Sequence, residues 1–214
     1  MDPVDLYSSR VATYTRFVNV VRYPQGIRAY FLRASWLRPG LHVLDAGCGT
    51  GFATLALRDA LLKRRMVPGS FHAFDLTPAM IDRFRAILHK RAITDVELTQ
   101  ADVLESETLP AEWTNYDLII SASMFEYLPP HRVSEGFQRL RSRLNEGGRF
   151  VLFITRRNWL TRPLIGQWWQ ANLYSEKELK EALYKAGFTS LTVSRFPIQY
   201  RWLSLWGFVI EATT

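Results

Sequence analysis

The sequence predicts an α/β fold built on a doubly wound, mostly parallel sheet. Three observations carry that expectation. A short apolar run, Leu41-His42-Val43-Leu44, ends in Asp45 and a glycine-rich turn, Gly47-Cys48-Gly49-Thr50-Gly51. After the turn, Ala53, Ala56, Leu57, Ala60 and Leu61 recur at helical spacing and mark one apolar face. Further apolar runs then alternate with helical patterns, the first of them again tipped by an acid, Asp75. Strands alternating with helices are the signature of a parallel sheet.

Residues 1–40 read as two helices ahead of the first strand. Val11, Tyr14, Val18 and Val21 share one face, and Ile27, Tyr30, Phe31 and Ala34 another. Pro24-Gln25-Gly26 reads as the break between them, and Pro39-Gly40 as the stop of the second. In the glycine turn, residues without a Cβ let a ligand lie directly on the main chain. The free N–H groups of the helix that follows favour anionic or polar oxygens there. The dinucleotide spacing is not met, because Phe52 stands where that pattern requires its third glycine, and no Gly-Lys-Ser/Thr follows.

The second strand covers 70–74 and ends at Asp75. A helix then opens at Thr77-Pro78, with Thr77 as expected N-cap and Met80, Phe84, Ile87 and Leu88 as its stripe. Val96–Gln100 is the third strand, followed by Ala101-Asp102-Val103, and the fourth begins at Tyr116. Ligands of open parallel sheets bind beyond the carboxyl ends of the strands, so residues 121–127 are expected to face one. Val133, Phe137, Leu140 and Leu144 predict a helix ending at Asn145-Glu146-Gly147-Gly148, and 149–154 a fifth strand. Ser175 with Glu178 is a capping box for a helix that Gly187 terminates. Leu191-Thr192-Val193 and Trp202–Glu211 are expected to close the sheet as an antiparallel pair.

The order of these pieces resembles the class I S-adenosylmethionine-dependent methyltransferases. Asp45 followed by Gly47, Gly49 and Gly51 is similar to the family's first motif, and Asp75-Leu76-Thr77-Pro78-Ala79-Met80 to its second. Ala101-Asp102-Val103 and Leu144-Asn145-Glu146-Gly147-Gly148-Arg149-Phe150 resemble the third and the fifth-strand entry, with Asn145-Glu146 where Lys-Pro is usual. The resemblance covers about residues 41–154 and implies a Rossmann-like seven-stranded sheet with an antiparallel last strand and extra N-terminal helices. It implies S-adenosyl-L-methionine as cofactor. The backbone at Gly47, Cys48, Gly49 and Gly51, with Asp45, would hold its methionine part. Asp75 would hold the ribose, Asp102 would accept from the adenine amino group with Val103 packed on the ring, Leu76 would also belong to the cofactor set, and Ser121 would face the donor. Tyr7 and Tyr14 partly match the family's N-terminal lid helix, which makes Tyr14 a lid candidate; Ser8, Val11 and Thr15 depart from that pattern.

Composition bounds the rest. The chain has 214 residues, 48% of them apolar, enough for one α/β domain: a lid at 1–40, a cofactor core at 41–154, a substrate-side insertion at 155–174 and a C-terminal helix and strands at 175–214. The start lacks a basic stretch and apolar core, and no run is long enough to span a bilayer, so a cytoplasmic location is expected. Cys48, the single cysteine, excludes an internal disulfide and reads as a small filler. The four histidines are isolated and suggest no metal site.

Net charge is +7, which points toward anionic partners or reflects basic helix ends. Arg156, Arg157, Trp159, Trp168, Trp169 and Tyr174 crowd the insertion, where they would clamp an acceptor or fill the core. Tyr127 and His131 are the candidates for a base; the catalytic set is otherwise unassigned. The expected acceptor is a small molecule or lipid-like compound, with peripheral membrane contact suggested by the tryptophans and charge. A nucleic-acid acceptor is disfavoured, since Ser121-Ala122-Ser123-Met124 stands where base-amino methyltransferases carry Asn/Asp-Pro-Pro-Tyr/Phe. A binding protein without turnover is the remaining alternative, and no oligomeric state is assigned.

Overall fold

The computed structural model describes residues 20–105, 108–159, 161 and 171–214. Its elements, in order, are α1 (Tyr23–Arg33), β1 (Val43–Ala46), α2 (Phe52–Lys63), β2 (Phe71–Asp75), α3 (Pro78–Lys90), β3 (Val96–Gln100), β4 (Tyr116–Ala122), α4 (Val133–Arg141), β5 (Leu144–Thr155), α5 (Glu176–Lys185), β6 (Ser190–Ser194), α6 (Leu203–Trp206) and β7 (Gly207–Thr213). The seven strands form one sheet in the order β3-β2-β1-β4-β5-β7-β6. Strands β1 to β5 pair in parallel, and β7 inserts antiparallel between β5 and β6. The sheet is thus the doubly wound, Rossmann-like arrangement with a reversed last strand.

Alternation along the strands sorts the core into two layers. Val43, Leu118, Ile120, Val151, Phe153 and Val209 face α1 and α2. Leu44, Ile119, Phe150, Leu152, Ile154 and Ile210 face α4 and α5. Strands buried on both faces are the mark of a parallel sheet covered by helices, and they explain the unbroken apolar runs. Helix α3 packs at one edge through Ile81, Phe84 and Leu88, together with Leu55, Cys48 and Ala73.

Several boundaries differ from the sequence-based expectation, each for a physical reason. Pro24-Gln25-Gly26 does not break the N-terminal segment but forms the first turn of α1. Proline is tolerated there because its missing N–H has no intrahelical acceptor. Gly26 is a contact point, since a Cβ on it would overlap Leu203 and touch Phe196. The first predicted helix, with Tyr7, Val11, Tyr14 and Val18, lies outside the described residues, as do Trp168 and Trp169. Thr77 precedes α3, but its side chain makes no cap bond to the helix. The helix predicted to run to Leu144 stops at Arg141, and β5 begins at Leu144, with a register shift against β4 between Tyr116 and Leu118. The predicted strand at 202–211 starts only at Gly207, because Leu203–Trp206 is a short helix that buries Leu203 under α1. A short apolar run does not distinguish the two states by periodicity. The capping box of α5 is present in both directions between Ser175 and Glu178.

One polar cluster ties the C-terminal strands to the loop after α1. Glu211 on β7 accepts from Trp36 Nε1, Arg149 Nη1 and Ser194 Oγ, each at 2.9 Å. Replacing Glu211 by Ala orphans three donors at a half-buried site, and we expect a loss of about 2 kcal/mol in unfolding free energy by urea denaturation.

Candidate cofactor cleft and acceptor face

The strand tips β1, β2, β3 and β4 open onto one cavity of about 350 Å³. Of the residues singled out from the sequence, Gly47, Gly49, Asp75, Leu76, Asp102, Val103 and Tyr127 line it. Ser123 and Met124, within the 121–127 stretch expected to face a ligand, line it as well, and so do Phe52, Thr77, Met80 and Arg132, which sequence reasoning did not name as site residues. The position of Ser123 and Met124 just past a strand tip was the available signal for those two.

The glycine turn is shaped by different demands at each glycine. A Cβ on Gly47 would overlap Met124, which itself lines the cavity. Gly51 has φ +82° and a Cβ there would overlap the Phe84 ring, so its role is packing of α3 against the turn. Gly49 has φ +53° and nothing within 4 Å of where its Cβ would stand. That bare space opens into the cavity, as expected of backbone that a ligand approaches. The turn is anchored to β2, with Gly47 N and Cys48 N both donating to Phe74 O at 2.9 Å.

Asp75 joins the turn to the next helix. Its Oδ2 accepts from Gly49 N at 2.8 Å and its Oδ1 from Thr77 N at 2.9 Å. Burial raises its pKa, and the two backbone donors work against that rise. Each oxygen can accept beyond its backbone donor, and Asp75 lines the cavity, which suits vicinal hydroxyls. At the β3 tip, Asp102 Oδ1 accepts from Leu104 N at 2.8 Å, which fixes the loop that carries Val103.

The other predicted positions lie differently. Asp45 is fully buried behind the turn. Its Oδ2 accepts from Thr54 N at 3.1 Å and Thr54 Oγ1 at 2.6 Å, while Oδ1 has no hydrogen-bond partner. Burial pushes its carboxyl up to about 7. Cys48 is buried, its Sγ set toward Gly49 O, and burial together with the Asp75 and Asp45 charges pushes its thiol well up. Ser121 is buried between strands and donates to Ala46 O at 2.8 Å instead of facing the cavity. His131 is exposed on a short turn and is not among the lining residues. Tyr14 lies outside the described residues. Among the described residues no cluster of His, Cys, Asp or Glu could hold a metal ion.

Beyond the tips of β4 and β5 stands a second polar group. The turn Phe125–Tyr127 carries Glu126, 1% exposed. Its Oε1 accepts from Thr155 N at 2.9 Å, and Oε2 has no partner. Burial pushes this carboxyl up to about 7 as well. Ser123 beside it is a non-glycine residue at φ +59°, a conformation that side chains seldom adopt and that tends to occur at functional sites.

The raised native pKa of Asp45 has a consequence for stability. A carboxyl that holds its proton more tightly in the folded state favours folding fully below its ordinary value of 3.8, and that contribution is withdrawn as pH rises through about 7. In ligand-free protein, Asp45→Asn is therefore expected to melt above wild type at pH 8, with the gap closing toward pH 5. Thermal melts across that range check it; a gap that stays constant with pH rejects it.

Comparison with known proteins agrees with this geometry. Residues 43–148 match the family described as methyltransferase domain. The chain is 33% identical over 151 residues to a malonyl-[acyl-carrier protein] O-methyltransferase of Anoxybacillus flavithermus, covering 70% of this chain and 50% of that protein. It is 28% identical over 142 residues to a carboxy-S-adenosyl-L-methionine synthase of Dichelobacter nodosus, covering 65% and 54%. It therefore spans about half the length of these two curated relatives. Among solved structures, magnesium protoporphyrin IX methyltransferase of Synechocystis with bound S-adenosylmethionine superposes with a TM-score of 0.65 at 18% identity, over 92% of this chain and 80% of that one. An S-adenosylmethionine-dependent methyltransferase of Mesorhizobium loti superposes with a TM-score of 0.66 at 18% identity, over 88% and 98%. These two likenesses establish the fold, and the matching domain, the relatives and the motif order together establish that the chain belongs to the class I S-adenosylmethionine-dependent methyltransferases.

Proposed function

We propose that this chain transfers a methyl group from S-adenosylmethionine to a small-molecule or lipid-like acceptor. The observation that carries the reading is the carboxylate of Asp75 held by Gly49 N–H and Thr77 N–H at the mouth of a cavity also lined by Asp102. The unpartnered Oδ1 of buried Asp45 and the open space over Gly49 are the marks of a cradle made for a polar ligand. Asp75 is suited to accept from ribose hydroxyls, Asp102 from an adenine amino group, and Val103 and Leu76 to pack on the ring. The bound sulfonium supplies an already activated methyl group. The chain's own task is then alignment for in-line displacement and exclusion of water. A base is needed only where the acceptor must lose a proton.

Among relatives, one is named for a malonyl-acyl-carrier-protein acceptor and another for a phytyl hydroquinone, which supports a small or lipid-like acceptor for this chain too. Its basic groups give less support to nucleic acid, because many have internal partners. Arg58 pairs with Asp95, Arg132 and Arg139 with Glu135, and Arg157 with Glu178, while Arg143 donates to Trp113 O.

A lipid-like acceptor is further supported by one surface. Val20, Ile198 and Leu205 are 74%, 73% and 60% exposed, and Trp159 84%. Trp202 Nε1 donates to Val21 O and Asn158 Nδ2 to Leu205 O, so these apolar groups gather on one side, with exposed Arg195 and Arg201 near them. Apolar groups rimmed by arginine suit an anionic lipid surface. Among the described residues no helix is long and apolar enough to cross a membrane.

Isothermal titration is expected to show S-adenosylhomocysteine binding to the wild type and a loss of about 100-fold, ~3 kcal/mol, in Asp75→Ala. A wild type that ignores millimolar ligand sinks the reading. For the surface, co-sedimentation with phosphatidylglycerol vesicles is expected to exceed that with phosphatidylcholine and to fall in a Trp202→Ala, Leu205→Ser double variant. Binding indifferent to lipid charge counts against it.

A further inference from the structure

The polar group beyond β4 and β5 has features that the cofactor cleft does not use. Two buried oxygens there, Glu126 Oε2 and the Tyr174 hydroxyl, have no hydrogen-bond partner. Backbone geometry brings Glu126 and Tyr174 together: Thr155 N donates to Glu126 Oε1 and Asn172 N to the Glu126 carbonyl, while Arg156, next to Thr155, bridges to Tyr174. The negative charge of Glu126 bears on Tyr174 and on Tyr23. Tyr23, at the start of α1, turns its hydroxyl to Ser123, which lines the cofactor cavity, and its ring packs on Phe52, which lines it too, at 5.7 Å between centroids. Buried polar atoms without partners are uncommon in folded proteins, since each forfeits its hydration. Two of them in one place, one residue from cavity-lining Tyr127, mark a site that a ligand completes.

We propose that Glu126, with Tyr174 and Tyr23, forms the acceptor subsite: it binds a neutral protic acceptor, of the phenol or alcohol class, and Glu126 receives the acceptor's proton during methyl transfer. This rests on the methyltransferase reading above. The acceptor oxygen gives an electron pair to the methyl carbon, the carbon–sulfur bond breaks with its pair going to sulfur, and the O–H proton moves to Glu126 Oε2. The products are a methyl ether and S-adenosylhomocysteine, and the carboxyl later returns the proton to water, so no further reactant is required.

The surroundings favour this role. From β5 the Thr155 N–H and the Thr155 side chain face Glu126, and the Tyr23 phenol of α1 and the Tyr174 phenol before α5 feel its charge, with Asn172 N donating to the Glu126 carbonyl. Among the described residues no cationic side chain is paired with this carboxyl. Arg156 turns to Ser204 O and the Phe208 ring, and Arg157 to Glu178. Burial, only partly offset by hydrogen bonds from Thr155 and the Glu126 backbone, pushes the group up to about 7, where both its forms are populated at neutral pH. The same uncompensated charge repels an acceptor that is itself a carboxylate, so the subsite selects against acids.

The test uses protein isotope-labelled at the glutamate carboxyl carbon, with phenol as probe. The resonance missing from Glu126→Gln identifies the group. In wild type it is expected to titrate near neutral pH, to move when millimolar phenol is added, and to stay put with methoxybenzene or benzoate. Calorimetry on protein saturated with S-adenosylhomocysteine is expected to show phenol binding about ten-fold weaker in Glu126→Gln, the loss of one charge-assisted hydrogen bond. Glutamine keeps an acceptor for Thr155 N–H, so S-adenosylhomocysteine binding by the variant should equal wild type and confirms its fold. A wild type that binds S-adenosylhomocysteine while its Glu126 resonance ignores phenol overturns the subsite alone. Glu126-dependent phenol binding in a wild type that cannot bind S-adenosylhomocysteine overturns the methyltransferase reading and keeps the subsite.

Discussion

The Asp75 carboxylate is the joint on which the cleft depends. It receives one backbone N–H from the turn after β1 and one from the start of α3, so two loops that share no covalent neighbour are fixed to the same pair of oxygens. The parallel register of β1 with β2 brings those loops to one level, Asp45 beside Ala73 and Ala46 beside Phe74. Gly49 then adopts a backbone conformation that presents its N–H to Asp75 and leaves its outer face bare. The order β3-β2-β1-β4 sets four successive tips in a row, which makes a groove out of what would otherwise be separate turns.

Carboxyls in this molecule divide by environment. Asp75 and Asp102 line the cavity and take backbone donors. Asp45 and Glu126 stand behind it, each with one oxygen satisfied and one without a partner, and burial pushes both up to about 7. Glu126 directly precedes cavity-lining Tyr127, and Asp45 stands just ahead of cavity-lining Gly47, but neither acid lines the cavity itself. A cation brought near either carboxyl would offset its desolvation and draw its pKa back down.

Much of this was legible in the residue order. Acids at strand tips, glycines at alternate positions and a serine three before a glutamate are local signals, and each corresponds to a bond that local spacing or the pairing of neighbouring strands sets: Ser175 to Glu178, Asp45 to Thr54, and Asp75 to Gly49 across adjacent strand tips. What was not legible depends on contacts distant in sequence. Gly26 sits inside a helix because Leu203 leaves no room for a Cβ, and Leu203–Trp206 is helical because it packs there. Ser121 points between strands since alternation from Ile120 turns it toward Ala46, whereas Ser123, two residues on, escapes the pleat through its positive φ. Glu126 falls in the 121–127 stretch expected to face a ligand, but no matching motif gave it a role. Its significance arises from burial and a missing partner, neither of which a sequence displays.

Cys48 offers a practical corollary. It is the only sulfhydryl in the chain, enclosed at 2% exposure next to two acids that discourage its ionised form. Alkylating dyes and oxidants act on accessible thiolates, so the folded protein should be inert to maleimide and stable in air. A cysteine introduced at any exposed position would then be the unique point of attachment for a fluorophore or spin probe, with the native sulfur silent.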